Sequence, residues 1–324
     1  MTLKWGIAAT GGIASKMAAA LQTLDDAEIV AVGSRSPESA TTFANKFGIP
    51  QAHGSYAALF ADPNVDIVYI ASPHSHHRDM AVAALDAGKH VLCEKAFAVN
   101  TTEATEMVAA ARRNHRFLME AMWTWFIPGN VELKRRIADG AIGKVLTVDA
   151  DFALDISATD GRHRRADLAG GALLDLGIYP VTFACHVLDE YPDDVKAMGR
   201  LTESGVDATL AGVASFPAGA LSTFQTSLDG KSGLSARIVG TAGRIEVEAP
   251  FWFASAFTVY RAGGIAERVE ISNNGLAHEA AHAMERIAAG HLESDVVTLD
   301  HSLQTMRLLD EIRAQVGVIY PSET

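Results

Sequence analysis

The segment Val65–Lys95 constrains the fold of this chain more than any other stretch. Val65–Ala71 is a short apolar run rich in β-branched residues, which predicts a buried strand. A helical pattern follows over Asp79–Leu85, and a second apolar run occupies His90–Cys93. A strand–helix–strand unit of this length implies parallel strands, whose carboxyl ends face the ligand crevice of an open α/β sheet. The charged pair Glu94–Lys95 comes next, so it is predicted to lie where chemistry takes place.

The composition excludes several classes of partner. At 324 residues the chain is long enough for two domains, and 48% hydrophobic residues with 20% charged residues is typical of a globular protein. The net charge of −12 argues against nucleic acid or an anionic membrane surface as the main partner. Cys93 and Cys185 are the only cysteines, which excludes a disulfide framework and favours a cytoplasmic protein. The sequence has no apolar run long enough to span a bilayer and no signal-peptide pattern, so no membrane partner is expected.

The first strand leads into a loop of small residues that is typical of a pyrophosphate site. Leu3–Ala9 is mostly apolar, and a helix is predicted from about Ser15 to Leu24. Small residues between them let the backbone approach phosphates, which the helix N-terminus also attracts. Ala9 stands where the dinucleotide pattern G-x-G-x-x-G/A has its first glycine, so a plain structural turn is the alternative. The residues predicted to bind the dinucleotide here are Ala9, Thr10, Gly11, Gly12 and Ile13.

The end of the second strand predicts which dinucleotide binds. The strand Glu28–Gly33 is followed by Ser34, Arg35 and Ser36. An enzyme that uses NAD typically carries an acidic residue here, which accepts a hydrogen bond from the ribose 2′-hydroxyl. A guanidinium flanked by hydroxyls suits a 2′-phosphate better. The sequence therefore favours NADP over NAD, with a solvated arginine in a βα loop as the alternative.

Two groups of sequence motifs resemble those of a single protein family. The first group is Trp5–Ile7 with the loop behind it, Ala87–Lys95 and Gly170–Tyr179. Together these resemble the glucose–fructose oxidoreductase/inositol dehydrogenase/MocA family. The second group is similar to the branch that includes dimeric dihydrodiol dehydrogenase and NADP-dependent xylose dehydrogenase, and it consists of Met119–Thr124, Gly240–Val247 and Leu308–Arg313. The resemblance covers essentially the whole chain.

The resemblance implies an active site built around a lysine and a tyrosine. Lys95 matches the lysine of the family's E-K-P motif, although Ala96 replaces the proline, which predicts a less rigid loop. Asp175 matches the acid of the D-x-x-x-H motif, and Tyr179 replaces the histidine, as it does in the dihydrodiol dehydrogenase branch. Lys95 and Tyr179 are therefore the expected acid/base pair for alcohol oxidation, with Asp175 orienting them or binding substrate. The alternative for Tyr179 is simple packing on the apolar face of the helix Ala172–Leu188.

The resemblance also implies further cofactor contacts. Ser72, Pro73 and His74 follow the strand Val65–Ala71 and are expected beside the dinucleotide, as is Glu94. His77 belongs to the same group because it lies at the start of the following helix. A histidine cluster could also suggest a metal, but this setting favours cofactor contact or solvent, so no metal site is predicted.

Substrate contacts are expected from a basic run and an aromatic residue. Arg162–Arg165 is more often a solvated loop as a pattern of charge, but the family places this loop over the substrate. The predicted contacts are therefore His163 and Arg164, with Trp123 shaping the wall of the pocket.

The character of the chain changes after about Ala121. Glycine-bearing turns separate β-like runs, and no helix of useful length is predicted between Asp189 and Asn274. The predicted fold is a Rossmann domain with a doubly wound parallel sheet over residues 1–121. A C-terminal α+β domain, for substrate binding and oligomerisation, is predicted over residues 122–324 on an open, mostly antiparallel sheet. Because family members commonly associate through this sheet, a homodimer or homotetramer is expected.

These observations predict a cytoplasmic, NADP-dependent oxidoreductase of sugar metabolism. The expected reaction transfers hydride between the nicotinamide and a CH–OH group of a small polyol, either an aldose or a trans-dihydrodiol. One alternative is a sugar or inositol dehydrogenase of another branch that uses NAD. The other is a non-catalytic regulator that senses a dinucleotide, against which the presence of both Lys95 and Tyr179 argues.

Overall fold

The computed structural model describes residues 2–156, 161–261, 263–264 and 266–323. Its first part alternates strands with helices. The strands are β1 Leu3–Ala8, β2 Ala27–Gly33, β3 Gln51–His53, β4 Ile67–Ile70, β5 His90–Glu94 and β6 Leu118–Ala121. The helices are α1 Gly12–Leu21, α2 Pro37–Phe47, α3 Tyr56–Phe60, α4 His77–Asp86 and α5 Thr101–Asn114.

The rest of the chain is dominated by strands, with helices near its beginning, middle and end. The helices are α6 Pro128–Ala138, α7 Ile178–Leu188, α8 Ala277–Ala288 and α9 Leu299–Val316, and a π-helical turn, Leu173–Gly177, precedes α7. The strands are β7 Val145–Ala153, β8 Asp194–Leu201, β9 Asp207–Ser215, β10 Leu221–Ser227, β11 Ala236–Gly240, β12 Gly243–Val247, β13 Ala256–Arg261 and β14 Ala266–Glu270.

The described part of the chain divides into two compact units, and the division differs from the predicted boundary. The first unit is Met1–Trp123 with Asn274–Met306, and the second is Thr124–Asn273 with Arg307–Thr324. The prediction placed everything after residue 121 in one domain. Asn274–Met306 instead returns to the first unit, where α8 buries Ala280, Ala283 and Met284. The indole Nε1 of Trp5 in β1 lies 3.4 Å from the sulfur of Met284, a long-range contact that local sequence patterns do not reveal.

The first unit contains the predicted doubly wound parallel sheet. Its strand order is β3-β2-β1-β4-β5-β6, and every neighbouring pair is parallel. The chain turns from one half of the sheet to the other between β1 and β4, where dinucleotides bind in this topology. Both faces are covered, so β4 is buried at every position. The carboxyl ends of β1, β2, β4 and β5 therefore lie at one edge of the sheet.

The second unit contains the predicted open, mostly antiparallel sheet. Its strand order is β14-β13-β12-β11-β7-β10-β9-β8, and β7 and β10 are the parallel neighbours within the described strands. The π-helical turn and α7 pack against β7 and β10. On the opposite face, alternation along the strands exposes Met198, Val213 and Leu221 to 84%, 40% and 47%.

One helical stretch corrects the prediction that no apolar run of the sequence is long enough to span a bilayer. Within the described residues, Ala166–Leu188 is long and apolar enough to cross a membrane by length and composition. In its most apolar window, however, 94% of the residues are buried inside the fold. A core helix of a folded domain passes the same test, so this stretch is explained by the packing of the second unit.

A substitution at Gly212 can test the packing of the second sheet. In β9 it pairs with Phe224 of β10, and a Cβ at this position would collide with the Phe224 ring and come within 2.7 Å of the Lys196 carbonyl oxygen. Gly212→Ala should therefore lower the free energy of unfolding by about 2 kcal/mol in urea unfolding followed by circular dichroism. Gly230→Ala is the control, because a Cβ there would have no described atom within 4 Å. Equal stability of the two variants would contradict this packing.

Candidate active site

The edge of the first sheet gathers the residues predicted to bind a dinucleotide. The loop after β1 carries Ala9–Ile13, and the loop after β2 carries Ser34–Ser36. Ser72–His77 follows β4, and Glu94 ends β5 directly before Lys95. Because all these strands are parallel, the topology alone brings the four segments to the same edge.

The loop after β1 has the backbone and the space that a pyrophosphate requires. Ala9 has a φ of 93°, a left-handed conformation that favours glycine. The backbone therefore turns at Ala9 as it would at the first glycine of the dinucleotide pattern. A Cβ on Gly11 or Gly12 would have no described atom within 4 Å, so the space over the loop is open. The ten-residue helix α1 begins at Gly12, and the N–H groups of a first helical turn lack intrahelical partners. These residues therefore fit a dinucleotide phosphate.

The loop after β2 carries an exposed arginine side chain that interacts with a neighbouring tyrosine. Arg35 is exposed, and its side chain hydrogen-bonds with Tyr56 at the start of α3. Burial raises the pKa of Tyr56, and Arg35 opposes that rise. Ser34 is buried, and its hydroxyl accepts a 3.3 Å hydrogen bond from the Ser36 backbone N–H. Ser36 caps α2 by accepting a hydrogen bond from Ser39 N–H. The loop is thus fixed locally, with the guanidinium at its surface.

The loop after β4 is held from within by His77. This side chain is fully buried, with Nδ1 2.9 Å from the carbonyl oxygen of Ala96 and Nε2 2.9 Å from that of Ser72. His77 therefore joins the loops that follow β4 and β5. His74 lies edge-on to it, with ring centroids 5.6 Å apart, and Pro73 precedes the short 3₁₀ turn that contains His74.

Glu94 and Lys95 lie at the end of β5. Glu94 is buried; one of its oxygens accepts a hydrogen bond from the Tyr69 hydroxyl and the other accepts one from the Lys95 backbone N–H at 3.2 Å. Burial, with the charge of Glu94, raises the pKa of Tyr69 well above its usual value. Lys95 is half-buried, and a cis peptide bond joins it to Ala96. Residues 96–99 are buried, so the segment is packed despite the missing proline.

In the second unit Asp175 is the centre of an ion-pair cluster. It is buried in the π-helical turn, and its oxygens lie 2.8 Å from a guanidinium nitrogen of Arg162 and 2.9 Å from Nε2 of His163. Arg164 instead pairs with Asp229. The predicted contacts were His163 and Arg164, and Arg162 was not predicted. The basic run was the only signal in the sequence, and it does not tell which of its three arginines turns towards the acid.

Tyr179 lies in an aromatic cluster one turn beyond Asp175. Its ring centroid is 5.5 Å from that of Phe152 in β7 and 6.1 Å from that of Trp252, and the latter two rings stack at 3.5 Å. Sequence reasoning missed Phe152 and Trp252, which come from distant segments. Trp123, the predicted pocket residue, is half-buried at the end of the first unit. Lys95 belongs to the first unit and Tyr179 to the second, so their pairing stays a prediction.

A buried aspartate fixes the segment that carries Asp175 and Tyr179. Asp207 is fully buried and accepts a 2.6 Å hydrogen bond from the Leu173 backbone N–H, at the start of the π-helical turn. Gly171 packs so closely on Asp207 that a Cβ would collide with its carboxyl oxygen. Burial raises the pKa of Asp207 to about 7, although the backbone hydrogen bonds favour its ionised form. The position of the turn therefore depends on a carboxyl group that titrates near neutral pH.

Metal ligation is not apparent in the described residues. Across residues 2–156, 161–261, 263–264 and 266–323, no group of three or more His, Cys, Asp or Glu side chains is arranged to hold a metal ion. The buried His77 is instead directed at backbone carbonyl oxygens.

Comparison with protein families matches both parts of the chain. Residues 3–122 match the oxidoreductase family with an NAD-binding Rossmann fold, and residues 130–246 match the GFO/IDH/MocA C-terminal domain. Human trans-1,2-dihydrobenzene-1,2-diol dehydrogenase is 36% identical over 333 residues, covering 100% of this chain and 99% of the relative. The Danio rerio protein of the same name is 35% identical over 337 residues and is covered completely.

Solved structures share the fold over the same length. Aldose-aldose oxidoreductase from Caulobacter crescentus, complexed with glycerol, superposes with a TM-score of 0.89 at 26% identity, covering 98% of each chain. The 3-ketoreductase KijD10 from Actinomadura kijaniata, in complex with NADP and TDP-benzene, has a TM-score of 0.88 at 24% identity, also over 98% of each chain. The second likeness concerns the fold alone.

The titration of Asp207 predicts how stability depends on pH. Its pKa is about 7 in the folded protein and ordinarily 3.8, so between these values the folded state holds the extra proton. This contribution to stability is complete below pH 3.8 and is lost as pH rises through 7. From pH 5 to pH 8, the free energy of unfolding measured in urea should therefore fall by roughly 2 kcal/mol more for the wild type than for Asp207→Asn, whose amide does not titrate. Parallel pH dependences of the two proteins would contradict the assignment.

Proposed function

The chain belongs to the GFO/IDH/MocA family of oxidoreductases, and we propose that it oxidises a CH–OH group of a small polyol with NADP as the hydride acceptor. The observation that carries this proposal is the full-length similarity to trans-dihydrodiol dehydrogenases. The substrate class is a vicinal diol, either a trans-dihydrodiol or an aldose, and the reverse reduction uses the same groups. The structural likeness to aldose-aldose oxidoreductase supports an aldose as the substrate.

The choice of NADP rests on the loop after β2. Arg35 carries the exposed positive charge of this loop, and a guanidinium forms charge-assisted hydrogen bonds with a phosphate. Ser34 stands where an acidic residue would read a free ribose, so the loop has no carboxylate at that position to repel a 2′-phosphate. The open space over Gly11 and Gly12 would accept the pyrophosphate. When bound, the nicotinamide supplies the hydride acceptor.

Lys95 and Tyr179 handle the hydroxyl proton. Oxidation of an alcohol needs a group that removes this proton as hydride departs. A neighbouring ammonium stabilises a phenolate, so Lys95 would help Tyr179 to act as the base. Asp175, paired with Arg162 and His163 in the turn before α7, orients the acid/base pair or helps to bind substrate. The aromatic rings of Phe152 and Trp252 around Tyr179 keep water from its ring.

The open face of the second sheet is the proposed contact between copies of the chain. Met198, Val213 and Leu221 expose apolar surface there. Burial of such a face against a second copy removes it from water, which favours a homodimer or homotetramer. We also propose a cytoplasmic location, in keeping with the buried, free thiols of Cys93 and Cys185.

The test of the proposed function is reduction of NADP and NAD, measured side by side, by purified protein. The panel contains trans-dihydrodiols, aldoses and inositols. Turnover linked to NADP on diols or aldoses is the expected result. Turnover only with NAD would favour a sugar or inositol dehydrogenase of another branch. Tight binding of NADPH without turnover on any member would contradict the enzymatic proposal and favour a dinucleotide sensor.

Lys95→Ala tests the assigned acid/base group. The variant should lose about 100-fold or more in kcat, the magnitude typical of general acid–base catalysis, because no ammonium remains beside the reacting hydroxyl. Its Kd for NADPH, measured by fluorescence titration, should stay within about threefold, since the phosphates are held elsewhere. Lys144→Ala, at an exposed position of the second unit, is the control. Wild-type turnover by the Lys95 variant would remove this lysine from the mechanism.

Arg35→Ala tests whether Arg35 recognises the 2′-phosphate of NADP. Loss of a charge-assisted hydrogen bond should weaken NADP binding by about tenfold or more, while NAD binding changes by less than about twofold. Arg112→Ala, whose ion pair with Asp300 is exposed and 4.0 Å long, is the matched control in the same unit. Titration of both dinucleotides against both variants gives the comparison. Equal losses for NADP and NAD would show that Arg35 does not discriminate between them.

A further inference from the structure

Glu120 lies directly behind the segment that carries Lys95. It belongs to β6, whose residues pair with those of β5, and its Cα partner is Cys93. Its side chain is 1% exposed. The carboxyl group therefore sits inside the first unit, one strand away from Glu94 and Lys95.

Both carboxyl oxygens of Glu120 are bound. One accepts a 3.1 Å hydrogen bond from the backbone N–H of Phe97, two residues after Lys95. The other accepts a 2.7 Å hydrogen bond from the hydroxyl of Ser302 in α9. The first bond fixes the backbone of the Lys95 segment to β6, and the second fixes the orientation of the carboxyl group.

A second buried carboxyl group, that of Glu94, also binds the backbone of this segment. Glu94 accepts the hydrogen bond of the Lys95 backbone N–H, while Glu120 accepts that of Phe97. Between them, the carbonyl oxygen of Ala96 faces His77. Three successive residues of the segment, Lys95 to Phe97, therefore contact buried polar side chains. Burial of a carboxyl group is costly, so this arrangement is more than loop packing requires.

We propose that Glu120 is a positioning residue for Lys95: its carboxylate fixes the backbone of the Lys95–Phe97 segment and thereby the place from which the Lys95 side chain extends. The proposal rests on the proposed function for the role of Lys95 in proton transfer. It assigns a function to Glu120 of the Met119–Thr124 motif, which the cofactor and substrate contacts leave unexplained.

The electrostatics of the site support this role. The charged groups facing Glu120 are Glu94 of β5 and Lys95, and α9 faces it with the Ser302 hydroxyl. Glu279 of α8 acts on Glu94 instead. Burial raises the pKa of Glu120 to about 7, which Ser302 and Lys95 oppose. Glu120 is thus ionised above neutral pH, where its carboxylate is the stronger acceptor for the Phe97 N–H.

Glu120→Gln separates charge from structure. The amide oxygen still accepts from Phe97 N–H and the amide nitrogen can donate to Ser302, so only the charge is lost. The matched control is Glu103→Gln, because Glu103 accepts a 3.2 Å hydrogen bond from Val99 N–H on the same segment. The readout is hydrogen–deuterium exchange of the backbone amides of residues 95–99 in the cofactor-free protein, followed by mass spectrometry.

Exchange of the Phe97 amide should quicken by about tenfold or more in Glu120→Ala, which has no acceptor there, and stay within about threefold of the wild type in Glu120→Gln and Glu103→Gln. Ser302→Ala keeps the bond to Phe97 but frees the other carboxyl oxygen, so it should quicken exchange by less. It also serves if Glu120→Ala does not fold. Unchanged exchange in the folded Glu120→Ala variant, or an equal increase in the Glu103 control, would overturn the proposal.

Turnover supplies the second readout. Glu120→Ala, which loses the bond to Phe97 as well as the charge, should lower kcat by about tenfold or more, and Glu120→Gln, which keeps the bond, should restore most of it. Equal losses in both variants would contradict positioning through this hydrogen bond. Absence of NADP-linked turnover in the wild type would refute the proposed function instead, since the exchange result does not depend on turnover.

Discussion

The parallel pairing of β1, β2, β4 and β5 is the constraint on which the first unit depends. Because these strands run in one direction, the segments that follow them leave the sheet at one edge, and residues far apart in sequence are gathered without further interactions. Only local placement remains to be determined. A positive φ at Ala9 sets the phosphate loop, and His77 joins the loops after β4 and β5. The dinucleotide edge is thus a consequence of topology first and of side chains second.

Buried carboxyl groups do the finer positioning in both units. Glu94 accepts a hydrogen bond from the Lys95 backbone N–H and Glu120 accepts one from that of Phe97, while Asp207 accepts one at the start of the turn that carries Asp175. Each such group loses hydration, and burial raises the pKa of Glu120 and of Asp207 to about 7. Each of the segments that carry the proposed acid/base groups is therefore held by a carboxyl group whose charge changes near neutral pH.

The sequence predicted those features that depend on local patterns. Apolar periodicity and glycine-bearing turns located the alternating strands and helices of the first sheet, and they predicted that the second sheet is open and mostly antiparallel. Features set by distant contacts were not predictable. The return of Asn274–Met306 to the first unit depends on packing such as that of Trp5 on Met284. The pairing of Arg162, rather than Arg164, with Asp175 depends on how adjacent side chains turn in a loop.

Direct hydride transfer from a substrate carbinol to NADP can be tested by isotope transfer. A trans-dihydrodiol or aldose that carries deuterium on the carbon being oxidised would be incubated with NADP and the purified protein, and the reduced cofactor would be analysed by NMR. One deuterium is expected at C4 of the nicotinamide for each substrate oxidised, with a slower rate for the labelled substrate. Reduced cofactor without deuterium, or deuterated substrate recovered unchanged while NADPH binds, would contradict it.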